Sequence, residues 1–67
     1  MNVISQYLSD DGKRQADVVK VGKRLLVNLY FGKRPDGSMV LTEERDVSNH
    51  TVQYAEDCAE NYVQYIF

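Results

Sequence analysis

Side chains able to do chemistry are few in this chain and thinly spread. The single histidine, His50, lies near Asp46, Glu56 and Asp57 in sequence, and an imidazole among carboxylates is the raw material for an acid–base pair or a metal site. With one imidazole and no repeated ligand spacing, a solvated histidine at a helix start accounts for it more simply. Glu43-Glu44 read as an exposed strand end rather than a catalytic pair. Ser9 has no visible base to activate it. Cys58 falls on an apolar stripe, where a thiol behaves as a small buried hydrophobe, and alone it closes no internal disulfide. The Asn49-His50-Thr51 sequon has no secretory signal to give it meaning. No glycine-rich phosphate loop is present. The expectation is a non-enzymatic protein with no cofactor and no metal.

Basic residues make the second candidate chemistry. Gly-Lys-Arg occurs at Gly12-Lys13-Arg14, Gly22-Lys23-Arg24 and Gly32-Lys33-Arg34, ten residues apart each time, the spacing of strand plus turn in a meander. If the strands run up and down, the first and third copies share one end of the sheet. Lys13, Arg14, Lys33 and Arg34 then cluster there as candidate anion or nucleic-acid contacts, with Tyr7 or Tyr30 available to stack on bases. Charged turns that keep sheet edges from pairing explain the same residues without a ligand. The net charge is −2, and all eight Lys and Arg lie at or before Arg45. Beyond that point come four acids and no base. Strands followed by a helix are similar to part of the double-stranded RNA-binding domain. Such domains present helix lysines to phosphate, however, and this helix presents Glu56, Asp57 and Glu60.

The elements that must position these groups follow from hydrophobic period. At 48–67, Val52, Ala55, Cys58, Ala59, Tyr62, Val63 and Ile66 recur at three- and four-residue steps, the stripe of an amphipathic helix. Gln53, Glu56, Asp57, Glu60, Asn61 and Gln64 fall on its wet side. Ser48 and Thr51 are both able to cap it. A helix of about five turns is marginal alone in water, so it needs a surface to pack on. Upstream, β-branched and aromatic residues predict a strand at 2–8, closed by Ser9-Asp10-Asp11-Gly12. A second strand is expected at 15–21 and a third at 24–31, with Leu25, Val27, Leu29 and Phe31 on one face and Leu26, Asn28 and Tyr30 on the other. Pro35 and Asp36-Gly37 then reverse the chain into a fourth strand at 38–46, whose charged end points to a sheet edge.

The predicted fold is α+β: a four-stranded antiparallel meander with one C-terminal helix packed on the face of Leu25, Val27, Leu29 and Phe31 (ββββα). It forms one domain spanning residues 1–67, since chains divide only when much longer. The other sheet face, carrying Tyr30 with Leu26 and Tyr7, is left without a helix. A monomer with one wet face and a homodimer that covers it both satisfy the pattern. No stretch has the length of a membrane span or the plan of a signal peptide, so a cytoplasmic location is expected. With enzymatic parts lacking, a protein-interaction role ranks first, on a candidate surface of Tyr7, Tyr30, Tyr54, Glu56, Asp57, Glu60 and Tyr65. Tyrosine gives large contact area at low entropic cost.

The run Tyr54-Ala55-Glu56-Asp57-Cys58-Ala59-Glu60-Asn61-Tyr62-Val63, preceded by Ser48-Asn49-His50-Thr51, resembles the ending of short uncharacterised proteins of tailed marine cyanophages. The opening Ile4-Ser5-Gln6-Tyr7-Leu8-Ser9-Asp10-Asp11-Gly12-Lys13 is similar to theirs as well. The two stretches cover less than half the chain. That resemblance implies a phage product in the host cytoplasm, acting on a host protein, or a minor virion component. It assigns no catalytic residue.

Overall fold

The computed structural model describes residues 2–64; the expected helix positions Tyr65, Ile66 and Phe67 lie outside the described residues. Strands β1 (Asn2–Leu8), β2 (Arg14–Val21), β3 (Arg24–Lys33) and β4 (Met39–Asp46) are followed by helix α1 (Val52–Gln64). The sheet order is β1-β2-β3-β4, with every neighbouring pair antiparallel. This is the ββββα meander that the hydrophobic pattern predicts.

Local chemistry sets the connections. Gly22-Lys23 joins the paired residues Val21 and Arg24 with Gly22 at φ 59°. A glycine at the first of two loop positions suits the turn type whose twist matches that of the strands. Three aspartates fix the other turns by bonding two residues ahead. The Asp11 carboxylate accepts from the Ser9 hydroxyl at 2.7 Å and the Lys13 N–H at 3.0 Å. Asp36 accepts from the N–H and hydroxyl of Ser38, and Asp46 from those of Ser48. Such turns use a short side chain to imitate a backbone bond.

The helix packs on β1, β2 and β3. Ala16 and Val18 of β2 and Leu25, Val27 and Leu29 of β3, joined by Val47, meet Ala55, Ala59 and Val63. Ala16, Ala55 and Ala59 have no exposed surface; with nothing beyond Cβ, they let the helix axis lie close to the strands. Each larger aliphatic buried here contributes roughly 1.5–3 kcal/mol of transfer free energy. Thr51 is the cap, since its hydroxyl accepts from the Tyr54 N–H at 3.1 Å. Ser48 is committed elsewhere: its Oγ accepts from the Leu25 N–H at 2.9 Å while donating to Asp46. The last helical turn carries no basic residue of its own. Arg14 supplies one from β2, donating Nη1 to the Tyr62 carbonyl at 3.3 Å, where a cation meets the negative end of the helix dipole.

Four expectations are corrected. Phe31 is not covered by the helix but 51% exposed, with the Arg14 guanidinium contacting both its ring and that of Tyr62. Tyr7 does not share the uncovered face with Tyr30. It pairs with Ala16, a helix-side residue of β2, and so packs against the covered core; the register shift between Val3 and Ser5 turns Val3, and not Tyr7, to the uncovered face. Cys58 is only half-buried, and Val52 is exposed, since the stripe is wider than the strip of sheet beneath it. Val47, which follows β4, joins the core instead, held by its N–H to the Leu25 carbonyl at 2.8 Å.

The two sheet edges differ. On β4, Glu43 and Arg45 lie on the helix side and Glu44 and Asp46 on the other, and charge on both faces resists pairing with another strand. β1, the opposite edge, exposes Val3, Ile4 and Leu8.

Candidate functional site

The groups singled out for catalysis are not assembled. His50 stacks on Tyr54, with ring centroids 3.9 Å apart and planes at 14°, in an exposed turn before the helix. Glu43 and Glu44 lie opposite Leu29 and Asn28, and successive strand residues point to opposite faces. The Ser9 hydroxyl is used within its own turn, donating to Asp11 and accepting from the Arg14 N–H at 3.0 Å. Among the described residues no three His, Cys, Asp or Glu side chains gather closely enough to hold a metal ion.

The tyrosine and acid residues divide among three places. Tyr54, Asp57 and Glu60 are exposed on the helix, where Asp57 accepts from Gln53 and Glu60 from Gln64, both at 3.1 Å. Glu56 turns toward the edge strand and accepts the Ser5 hydroxyl. Tyr7 stands beside it; burial first, then the Glu56 and Glu60 charges, pushes its hydroxyl pKa above the ordinary 10.0. Tyr7 also lines a cleft of about 460 Å³ with Asp10, Arg14, Glu60 and Val63. Tyr30 is half-buried on the uncovered face, and its carbonyl accepts the Tyr62 hydroxyl at 3.1 Å. Tyr65 lies outside the described residues. The helix therefore presents an acidic outer face, and Tyr7 and Tyr30 stand apart from it.

The basic residues do meet. The Gly32 N–H donates to the Lys13 carbonyl at 2.9 Å, tying the first hairpin tip to the end of β3. A side chain added at Gly12 would come 4.0 Å from the Lys33 Nζ. Lys13 and Lys33, with Gly12, Gly32, Asp11 and Phe31, line a cleft of about 340 Å³. Arg14 is engaged elsewhere, its guanidinium lying 5.7 Å from the Phe31 centroid and 5.6 Å from that of Tyr62. Arg34 belongs to the next turn, its N–H bonded to the Ser38 carbonyl at 2.7 Å.

No family model, curated protein or solved structure matches the chain. Its surfaces therefore speak only through their own geometry.

The largest of them is the uncovered sheet face. Register places Val3, Gln6 and Leu8 of β1, Gln15, Asp17, Val19 and Val21 of β2, Leu26, Asn28 and Tyr30 of β3, and Leu41 of β4 on this side. Val19 and Leu26 are buried at its centre, while Val3, Leu8, Val21 and Leu41 are exposed around them. A polar row crosses the middle. Asp17 accepts from Gln15 Nε2 at 2.9 Å and from Gln6 Nε2 at 3.5 Å. Asn28, directly opposite Asp17 on β3, is 8% exposed and leaves its Oδ1 without a partner.

Sequence alone missed Phe31 as a cleft wall and Asp17 and Asn28 as a buried polar pair. A signal for the second was present: two polar residues sit mid-strand, each within an otherwise apolar run.

Among the described residues no helix is long and apolar enough to cross a membrane.

Proposed function

We infer that the chain is a non-enzymatic protein-interaction module, and that its uncovered sheet face docks first against a second copy of itself. The observation that carries this is the ring of exposed Val3, Leu8, Val21 and Leu41 around buried Val19 and Leu26 on a face that no element among the described residues covers. Apolar surface gathered on one side, in place of scattered single residues, marks an association site. The broad side of the molecule measures 34 × 24 Å, room enough for the roughly 800 Å² per partner of a stable interface. A twofold axis needs only one such patch, because the surface meets itself. A 67-residue chain buries only about 60% of its unfolded surface, so association supplies stability that its own core does not.

The acidic outer side of the helix stays clear of that interface and suits a basic surface on a different protein. A phage product acting on a host factor, or a minor virion part, is the setting implied by the cyanophage resemblance.

Sedimentation across a wide concentration range tests the pairing. The expected result is reversible dimer formation that Leu8→Lys or Leu41→Lys abolishes. Both side chains are about half exposed or more, so the dilute variants should keep the native circular dichroism. A chain that stays monomeric at the highest concentration, or variants that associate as tightly as the parent, would overturn the proposal.

A further inference from the structure

A second surface, independent of the sheet face, lies at the opposite end of the sheet from the Gly22-Lys23 turn. Three observations converge on it. Phe31 is a large aromatic left 51% exposed, held in place by the Arg14 guanidinium stacked 5.7 Å from its centroid. Lys13 and Lys33 flank it in one cleft of about 340 Å³, and among the described residues neither makes an ion pair. Gly12 and Gly32 form part of the cleft wall, so no side chain at those positions keeps a ligand from the backbone.

We propose that this cleft binds single-stranded nucleic acid, with one base stacked on Phe31 and the adjoining phosphates held by Lys13 and Lys33. An exposed ring accepts any base by its π-face, and two unpaired ammonium groups beside it follow the backbone. Stacking on a side chain requires a base that is not already stacked in a helix, which selects a single strand over a duplex. Arg34, which leads from β3 into the next turn, extends the positive edge.

One carboxylate, Asp11, also lines the cleft. Its Oδ1 is occupied by the Ser9 hydroxyl and the Lys13 N–H, and its charge is outweighed by the two lysines. Arg14 acts as a positioning residue: it fixes the ring and the helix end, and it is not needed as a phosphate contact. Tyr7 and Tyr30, the other aromatics considered for stacking, do not line this cleft.

The test is fluorescence anisotropy with labelled oligo-dT and oligo-rU at rising salt. Binding at low salt is expected to weaken with a log–log slope of about −1.4, the value for roughly two phosphates on a single strand. Lys13→Gln with Lys33→Gln should remove it. Lys20→Gln with Lys23→Gln is the charge-matched control, taken from exposed residues toward the other end of the sheet, and should leave binding nearly intact. Phe31→Leu, which keeps an apolar side chain against Arg14, should lower affinity roughly five- to one-hundred-fold, the worth of one stacked base.

Absence of binding at low salt overturns the proposal. So does equal loss from both lysine pairs, which would mean attraction to charge in general. Inorganic polyphosphate competing fully while Phe31→Leu changes nothing would reduce the cleft to an anion site and refute the base contact. None of these outcomes depends on dimerisation, which sedimentation reads separately.

Discussion

The two faces of the sheet show how one set of strands solves the same problem twice. On the helix side the centre is dry and made of small and branched aliphatics, with Ala16 and Val18 of β2 against Ala55 and Ala59 of α1. On the other side the same strands bury Val19 and Leu26, but next to them Asp17 and Asn28. No polar row joins the buried cluster on the helix side; on the other side Asn28 leaves its buried Oδ1 without a partner, at a cost of about 1–3 kcal/mol. The uncovered face keeps such a row and surrounds it with exposed aliphatics. The difference suggests a surface meant to be met from outside, held in register by polar groups and attracted by apolar ones.

The sharpest way to break that contrast is to truncate one leucine on each side. Leu29→Ala, under the helix, should destabilise the fold by about 2–5 kcal/mol at every protein concentration, a large share of the roughly 3–10 kcal/mol expected for a chain of this length. Leu41→Ala, on the other side, should cost less in dilute solution and more as concentration rises, because its exposed half is what a second copy would bury. Urea melts at several concentrations read both. Equal and concentration-independent costs would make the uncovered face an ordinary sealed core.

Asn28→Val probes the polar row. Removing a buried acceptor with no partner and placing a β-branched residue in a central strand should raise stability by about 1 kcal/mol. A loss measured in the same melts would show that the amide is satisfied after all.

The smallest effect touches neither face. Hydrogen bonds hold the carboxyls of Asp11, Asp36 and Asp46 below the ordinary 3.8, with Ser9, Ser38 and Ser48 as the respective main donors. Below that value the folded chain binds fewer protons than the unfolded one. Their contribution is thus fully present above 3.8 and is lost as pH falls through the folded values. All three are solvent-exposed, so the loss is gentle. A triple Asp→Asn variant should show a shallower acid limb than the parent in a pH series of thermal melts.

Much of this architecture was legible because it is local. Alternation in β3 assigns Leu25, Val27 and Leu29 to one side without knowledge of any other strand. The ten-residue spacing of Gly-Lys-Arg put Lys13 and Lys33 at one end, where they now share a cleft. What the pattern could not convey was an intervening side chain. The alternation that placed Phe31 on the helix side said nothing of Arg14, whose guanidinium contacts both that ring and Tyr62 of the helix. Tyr7 was misplaced for a different reason: its face is set by pairing with Ala16 across the first hairpin, which the residues of β1 alone do not specify. The choice between Ser48 and Thr51 turned on Asp46, two residues ahead of Ser48, which claims the serine for a turn.

The unequal edges carry one more consequence. Fibrous aggregation needs every subunit to offer two mutually compatible borders, so that addition never ends. Here the β4 border repels, and only the β1 border invites. Strand-to-strand growth between molecules, once begun at β1, would use up both inviting borders in a single step and halt there.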